Sequence, residues 1–402
     1  MLKNEVIFYK KLIENDFWPY WEQFIDEKYG GIFTCISNDG KTLISEDKYT
    51  WSQGRFLWLC ASLYDCSKKK ILDINISKLE EISNQTTDFL LRHAVMEDYS
   101  IAFLLSKEGI VYEKSQNDSI FADCFFVLGM SNYAKVFRKR EAYQVAKKVF
   151  ESIELRIIDN RFNTAPYPIP DGFESQSIWM ILLNVANELA LCAEEFEEKN
   201  DFIEKAKKYS ETLLDRFVKN NGQVIEFLSE NKILQNSLLG SHINPGHTIE
   251  AIWFHTHLYE HLGELTPKII EKLEKMFIFN FDIGWDNDYG GLLRFVYPNS
   301  EKIQFPMEQL IIDTATTKLW WPHSETLYTS LLIYDLTKNN IYSTIYEKVK
   351  AYTFEKFPNR DVGEWYQILD QAGSPINKVV ALPVKDPFHI LRNFICIVRR
   401  WG

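Results

Sequence analysis

One octapeptide pattern, Asp-x-x-Tyr-Gly-Gly followed by two apolar residues, occurs at two distant places, as Asp26-Glu27-Lys28-Tyr29-Gly30-Gly31-Ile32-Phe33 and as Asp286-Asn287-Asp288-Tyr289-Gly290-Gly291-Leu292-Leu293. Each copy precedes a helix rich in large apolar residues, one beginning near Trp51 and the other near Trp320. After the first copy, Asn38-Asp39-Gly40 is a hairpin turn signal. Weaker echoes, each a short strand or extended loop followed by an apolar helix, occupy residues 101–111 before Phe121, 223–234 before His247 and 364–376 before His389. Amphipathic helices with one charged face lie between them, at 142–155, 201–219 and 267–276. A unit repeating every roughly 65 to 70 residues cannot bury its own apolar side and must stack on its neighbours. About six such units fit the chain, which predicts an all-α fold, an (α/α)6 barrel. Six parallel inner helices would surround a cavity, six outer helices would return the chain, and short β-hairpins would gather at one end. The competing arrangement is an open solenoid with a concave protein-binding face. No Gly/Ser linker, Pro-rich stretch or low-complexity block interrupts residues 1–402, so the chain reads as a single domain.

In a closed barrel every inner-helix start opens onto one mouth. Two of these starts share a pattern, Asn244-Pro245-Gly246-His247 and Asp386-Pro387-Phe388-His389. Asn or Asp is a natural N-cap, Pro fits the first helical position, and the histidine falls in the first turn. Free backbone N–H groups and the positive end of the helix dipole disfavour imidazolium there. The expectation is two neutral histidines, each a base near pH 7. Placed on opposite faces of one substrate carbon, they would invert a stereocentre.

Other residues join them at the predicted mouth. Glu250 follows His247 by three positions and so shares its helix face. Arg55 sits among large apolar residues in Trp51-Ser52-Gln53-Gly54-Arg55-Phe56, and a buried guanidinium needs either a protein carboxylate or charge developing on a substrate. The run Trp320-Trp321-Pro322-His323-Ser324-Glu325 combines indoles that suit the C–H faces of a sugar with a carboxylate that accepts hydroxyl hydrogen bonds. Trp321, His323 and Glu325 are therefore assigned to the mouth, although Trp pairs also serve as core. Arg392, one turn after His389, either binds a substrate oxygen or, as the simpler expectation, pairs with a surface carboxylate. His93, His242, His255, His257 and His261 have no comparable context. A lone His-x-x-Glu lacks the further ligands of a zinc motif, so no metal is expected.

The net charge of −11 is spread along the chain without a basic tract, which argues against a nucleic-acid partner or an anionic membrane surface. The first 25 residues lack the uninterrupted apolar core of a secretory signal, and no stretch reads as a membrane span. Six cysteines, Cys35, Cys60, Cys66, Cys124, Cys192 and Cys396, form no Cys-x-x-Cys pair and read as reduced packing residues, so the cytoplasm is the expected compartment. There is no Gly-rich phosphate cradle, no Gly-x-Ser-x-Gly elbow and no Rossmann fingerprint.

In blocks at residues 29–35, 51–58, 119–126, 244–254, 285–291, 318–325 and 363–366, in that order, the chain resembles the N-acylglucosamine 2-epimerase family. The resemblance implies an (α/α)6 barrel that interconverts N-acetylglucosamine and N-acetylmannosamine, or a related aldose pair. It implies His247 and His389 as catalytic, Arg55 and Glu325 as needed for activity, Glu250 as an acidic neighbour, and His323 as a pocket residue. It further implies a homodimer, a small-molecule aldose or N-acylhexosamine as partner, and no required cofactor, with ATP an effector in some members. The family's Lys-Gly before the final Phe-His is replaced by Lys385-Asp386-Pro387, and Trp179 stands in Ser177-Ile178-Trp179-Met180, where it would reshape the pocket. The expected mechanism opens the aldose, removes the hydrogen on carbon 2 with one histidine, steadies the enediolate with Arg55, and returns a proton from the other. The rival readings are an aldose–ketose isomerase and a non-catalytic sugar- or protein-binding homologue.

Overall fold

A helix that is apolar on every side survives only inside a protein, whereas one with a single apolar stripe covers it. The computed structural model describes residues 1–112, 115, 118–298, 305–379 and 382–402, and among these it sorts twelve long helices by that rule. In chain order they are α1 (Leu2–Leu12), α2 (Thr50–Lys68), α3 (Ile76–His93), α4 (Ile120–Phe137), α5 (Arg140–Ile158), α6 (Gln176–Glu195), α7 (Phe202–Arg216), α8 (Pro245–His261), α9 (Pro267–Gly284), α10 (Trp320–Thr337), α11 (Asn340–Lys356) and α12 (Phe388–Trp401). The even-numbered helices are buried around most of their circumference and form the inner ring. The odd-numbered ones bury one stripe each: α3 turns Leu79, Ile82, Ser83, Thr86, Phe89 and Leu90 inward at helical spacing.

The inner ring closes. α2 packs on α4, α4 on α6, α6 on α8, α8 on α10, α10 on α12, and α12 packs back on α2. The outer layer is tied across the same seam, where Lys350 Nζ lies 2.6 Å from Glu5 Oε2 and the Tyr9 and Tyr346 hydroxyls are 3.1 Å apart. Closure decides for the (α/α)6 barrel over the open solenoid. α4 and α6 are long and apolar enough to cross a membrane, contrary to the expectation that no stretch would be, yet most of each is buried among the other helices of the ring.

Chain direction follows from the connections. Inner helices pass to outer ones by short turns, two residues long after α4 and α10, where Arg138 (φ +55°) and Lys338 (φ +56°) adopt left-handed caps. The return links are longer and carry the strands. Lys48–Tyr49, just before α2, pairs with Leu104–Leu105; Glu174–Ser175, before α6, pairs with Phe227–Leu228; and Lys318–Leu319, before α10, pairs with Ile368–Leu369. Each antiparallel clip joins one return link to the next, so all six inner-helix starts sit at the strand end.

The repeated octapeptide builds that end. Asp26 Oδ1 accepts the N–H groups of Lys28 and Tyr29, and its Oδ2 meets the buried Lys48 Nζ at 2.7 Å. Asp286 does the same with Asp288, Tyr289 and Lys318, again at 2.7 Å. Gly290 and Gly291 take φ of +74° and +77°, and a Cβ on Gly291 would stand 2.5 Å from the Tyr352 ring. The repeat is therefore structural: it fastens each loop to the strand that feeds an inner helix.

Candidate active site

At the strand end the inner-helix starts surround a cavity of about 540 Å³, lined among others by Arg55, Glu226, His242, His247, Glu250, Trp321, Asp386, His389 and Arg392. α8 begins as the sequence predicts: Asn244 caps it by accepting the His247 N–H, with Pro245 at the first position. The start of α12 is displaced by one residue. Pro387 is the N-cap, and Asp386 Oδ1 accepts the Phe388 N–H at 2.7 Å.

The two histidines are held by the same device. His247 Nδ1 lies 2.8 Å from Glu226 Oε1, and His389 Nδ1 lies 2.7 Å from Glu325 Oε1. A carboxylate only accepts, so each ring carries a proton on Nδ1 and has Nε2 left for proton exchange. The Trp321 indole packs beside both rings, its centroid 5.4 Å from His247 and 5.5 Å from His389. Gly246 makes this possible, because a Cβ there would sit 2.5 Å from Trp321 Cη2.

The surroundings make the pair unequal. Burial lowers the affinity of His247 for a proton, but the charge and hydrogen bond of Glu226 outweigh it and raise the pKa above the ordinary imidazole value. Glu226 is itself fixed by Gln176, whose Nε2 donates to Oε2 at 3.0 Å. For His389 burial dominates, aided by the Arg55 and Arg392 charges, and the pKa is pushed down to about 3. The expectation of two equivalent neutral histidines is thus corrected. His389 is neutral and His247 is biased toward imidazolium, because a partner carboxylate overrides the helix dipole.

Arg392 is 2% exposed and donates through Nη2 to both Glu250 and Glu325. Its partners are buried pocket carboxylates, not the surface carboxylate expected. Glu250, Glu325 and His389 place ligand atoms within 4.8 Å of one another, but the guanidinium is seated on both carboxylates. Glu325 is fully buried and acts from behind His389, with Oε2 accepting the Trp253 indole N–H at 2.8 Å. Arg55 Nη1 lies 2.5 Å from Asp386 Oδ2, and its guanidinium packs on the Phe125 ring at 3.9 Å while lining the cavity.

Two assignments fail. His323 is fully buried away from the cavity: Nδ1 donates to the Leu319 carbonyl at 2.6 Å and Nε2 accepts the Leu292 N–H at 2.9 Å. Both nitrogens are spent on backbone, so the ring ties the second octapeptide to α10. Trp179 turns outward to Tyr209 of α7, 6.0 Å between centroids, and Ser177, Met180 and Ile181 face the cavity instead. Glu226 and Gln176 escaped the sequence reading, and His242, set aside there for want of context, lines the cavity. Glu226 lies within the echo at 223–234, yet nothing in its spacing links it to His247.

A closed helical barrel with a carboxylate-tethered histidine pair at its mouth defines an (α/α)6-barrel enzyme. A model of the N-acylglucosamine 2-epimerase family (GlcNAc 2-epimerase) matches residues 31–392, and the chain belongs to that family. The N-acylglucosamine 2-epimerase of Mus musculus is 28% identical over 399 residues, covering 96% of this chain and 90% of that protein. The cellobiose 2-epimerase of Dictyoglomus turgidum is 21% identical over 428 residues, with 100% and 99% covered. The structure of cellobiose 2-epimerase from Bacillus thermoamylovorans superposes with a TM-score of 0.79 at 17% identity, covering 99% of this chain and 100% of that one.

Proposed function

We propose that this protein is a sugar 2-epimerase that acts on the open-chain form of an N-acylhexosamine or a related aldose by proton transfer at carbon 2. The observation that carries the reading is the convergence on one cavity of two imidazoles, each tethered through Nδ1 to a buried carboxylate and each packed beside the Trp321 ring. An aldehyde acidifies the adjacent C–H, and the free Nε2 of neutral His389 suits removal of that proton. The His247 imidazolium, supported by Glu226, suits delivery to the opposite face. Negative charge gathers meanwhile on the carbonyl oxygen, and Arg55 is the cavity-lining cation assigned to it. Arg392 is a positioning residue, since its guanidinium is engaged by Glu250 and Glu325. The reaction is redox-neutral and transfers only protons, so no cofactor is called for.

The test is a panel of glucose, mannose, N-acetylglucosamine and N-acetylmannosamine incubated in heavy water. The reading expects a 2-epimer as product with one deuterium at carbon 2. His247→Asn and His389→Asn should each cut turnover by about 10²- to 10⁴-fold with the fold intact by circular dichroism. A ketose as the main product would make the protein an aldose–ketose isomerase. Full epimerase activity in both variants would end the two-histidine scheme.

A further inference from the structure

His242 closes the short helix Leu238–Ser241 and stands two residues before the cap of α8. Its ring is 1% exposed yet forms part of the cavity wall. Nδ1 lies 2.6 Å from the Leu239 carbonyl, an acceptor only, so the ring proton is on Nδ1 and the lone pair is on Nε2. That Nε2 is buried without any hydrogen-bond partner among the described residues. The Nδ1 contact holds the ring in this orientation, and it packs on Phe227 at 5.7 Å and Phe295 at 5.6 Å. Both phenylalanines belong to a small apolar cluster, with Leu238, Leu239 and Ile311, that is separate from the barrel core.

A buried acceptor left unpaired is destabilising, and native structures keep few of them. Where its ring lines a cavity, the natural partner is a donor on the ligand. Burial keeps the ring neutral, and Glu226 places negative charge nearby, so a phosphate or carboxylate is unsuited to this spot. Resting on the epimerase reading above, we infer that His242 is a specificity-determining positioning residue whose Nε2 accepts a hydrogen bond from a neutral donor of the sugar, a hydroxyl or an acylamino N–H. The inference adds a contact remote from the proton-transfer pair: His242 reads the sugar's hydrogen-bond donors while His247 and His389 act on carbon 2.

The test is a binding cycle on the full chain. Wild type, His242→Phe and His242→Gln are titrated calorimetrically with N-acetylglucosaminitol, with its 4-, 5- and 6-deoxy derivatives, and with glucitol, which lacks the amide. These alditols have no aldehyde and do not turn over. The expected result is that His242→Phe, which keeps a ring but has no acceptor, weakens the parent alditol by about tenfold. One analogue, and one only, should then bind wild type and His242→Phe alike, identifying the donor as a particular hydroxyl or as the amide. His242→Gln, which retains an acceptor, should recover most of the affinity, and kcat on the active aldose should change less than KM in both variants. Equal weakening of every analogue, or no weakening of any, would overturn the inference even if wild type epimerises its aldose normally. Should His242→Phe fail to fold by circular dichroism, His242→Leu, which likewise lacks an acceptor, replaces it in the same titrations with the same expected and overturning results. A wild type that turns over no aldose would defeat the epimerase reading, whereas an analogue-specific loss in the titrations would still stand.

Discussion

Glu226 and His247 come from different segments, a return-link strand region and the start of α8, and meet at 2.8 Å across the cavity wall. The carboxylate raises the affinity of that imidazole for a proton, while His389, buried near two guanidinium groups, is driven the other way to about 3. Between pH 3 and a value above 6.5 the pair therefore holds one proton, mostly on His247. In the proposed two-histidine scheme, turnover in either direction uses that singly protonated pair, so both directions should share one pH profile. Activity should then fall on the alkaline side as His247 loses its proton. The same linkage makes the Glu226–His247 contact stabilising below pH 6.5, with the contribution lost as pH rises through the folded pKa. In Glu226→Gln, burial is left to dominate, and the alkaline limb of kcat/KM should move down in pH, lowering activity at pH 7.5 by about tenfold or more. A limb that stays in place would show that His247 is not the proton donor.

The barrel was legible because its repeats are periodic: the echoes before Phe121, His247 and His389 coincide with clip strands Leu104–Leu105, Phe227–Leu228 and Ile368–Leu369. The histidines were legible because a cap, a proline and an imidazole share a short motif. Their pairing was not: Glu325 was placed at the mouth but not against His389, and Glu226 was not singled out, because these contacts join residues 64 and 21 apart through the packing of adjacent inner helices and of a return link on the helix it feeds. His323 misled for a related reason. Its place in a first turn suggested the mouth, but the register of α10 turns it toward the loop, where backbone groups consume both nitrogens.

His323 should accordingly matter for stability and not for chemistry. His323→Phe deprives the Leu292 N–H and the Leu319 carbonyl of their partners, each worth about 1–3 kcal/mol when left buried. Thermal unfolding should show a lower Tm, while kcat/KM at a temperature where the variant is folded stays within about threefold of wild type. Turnover lost by orders of magnitude at unchanged Tm would return His323 to the active site.

Acid should unfold the protein through its buried imidazoles. His255, His323 and His389 are lowered to about 3 and His257 to about 4, burial being the largest cause for each. Below pH 6.5 the unfolded chain takes up protons that the folded chain refuses, so stability decreases as pH falls. Each such histidine contributes roughly a tenfold loss in the folding constant per pH unit until its folded pKa is reached. Urea midpoints at pH 7, 6 and 5 should fall steadily, and His255→Gln, which removes one titrating ring, should flatten the slope. Constant midpoints over this interval would contradict neutral burial.

Gly246 offers the sharpest separation of geometry from stability. A methyl group there would approach Trp321 Cη2 to 2.5 Å, Cζ3 to 2.7 Å and Pro322 Cγ to 2.9 Å, so the indole packed beside both histidines must shift. Alanine also favours a helix over glycine by about 1 kcal/mol, against an overpacking cost of about 1–3 kcal/mol, which leaves little net change in stability. Gly246→Ala should therefore retain a near-native Tm while losing about 10²-fold in kcat/KM, because misplacement of a substrate-positioning group by an ångström is that costly. Trp321→Phe, which removes the clashing Cη2 and Cζ3 atoms, should lose activity alone yet restore part of it when combined with Gly246→Ala. Strictly additive losses in the two single variants and the double variant would mean that Trp321 does not set the spacing of the histidine pair.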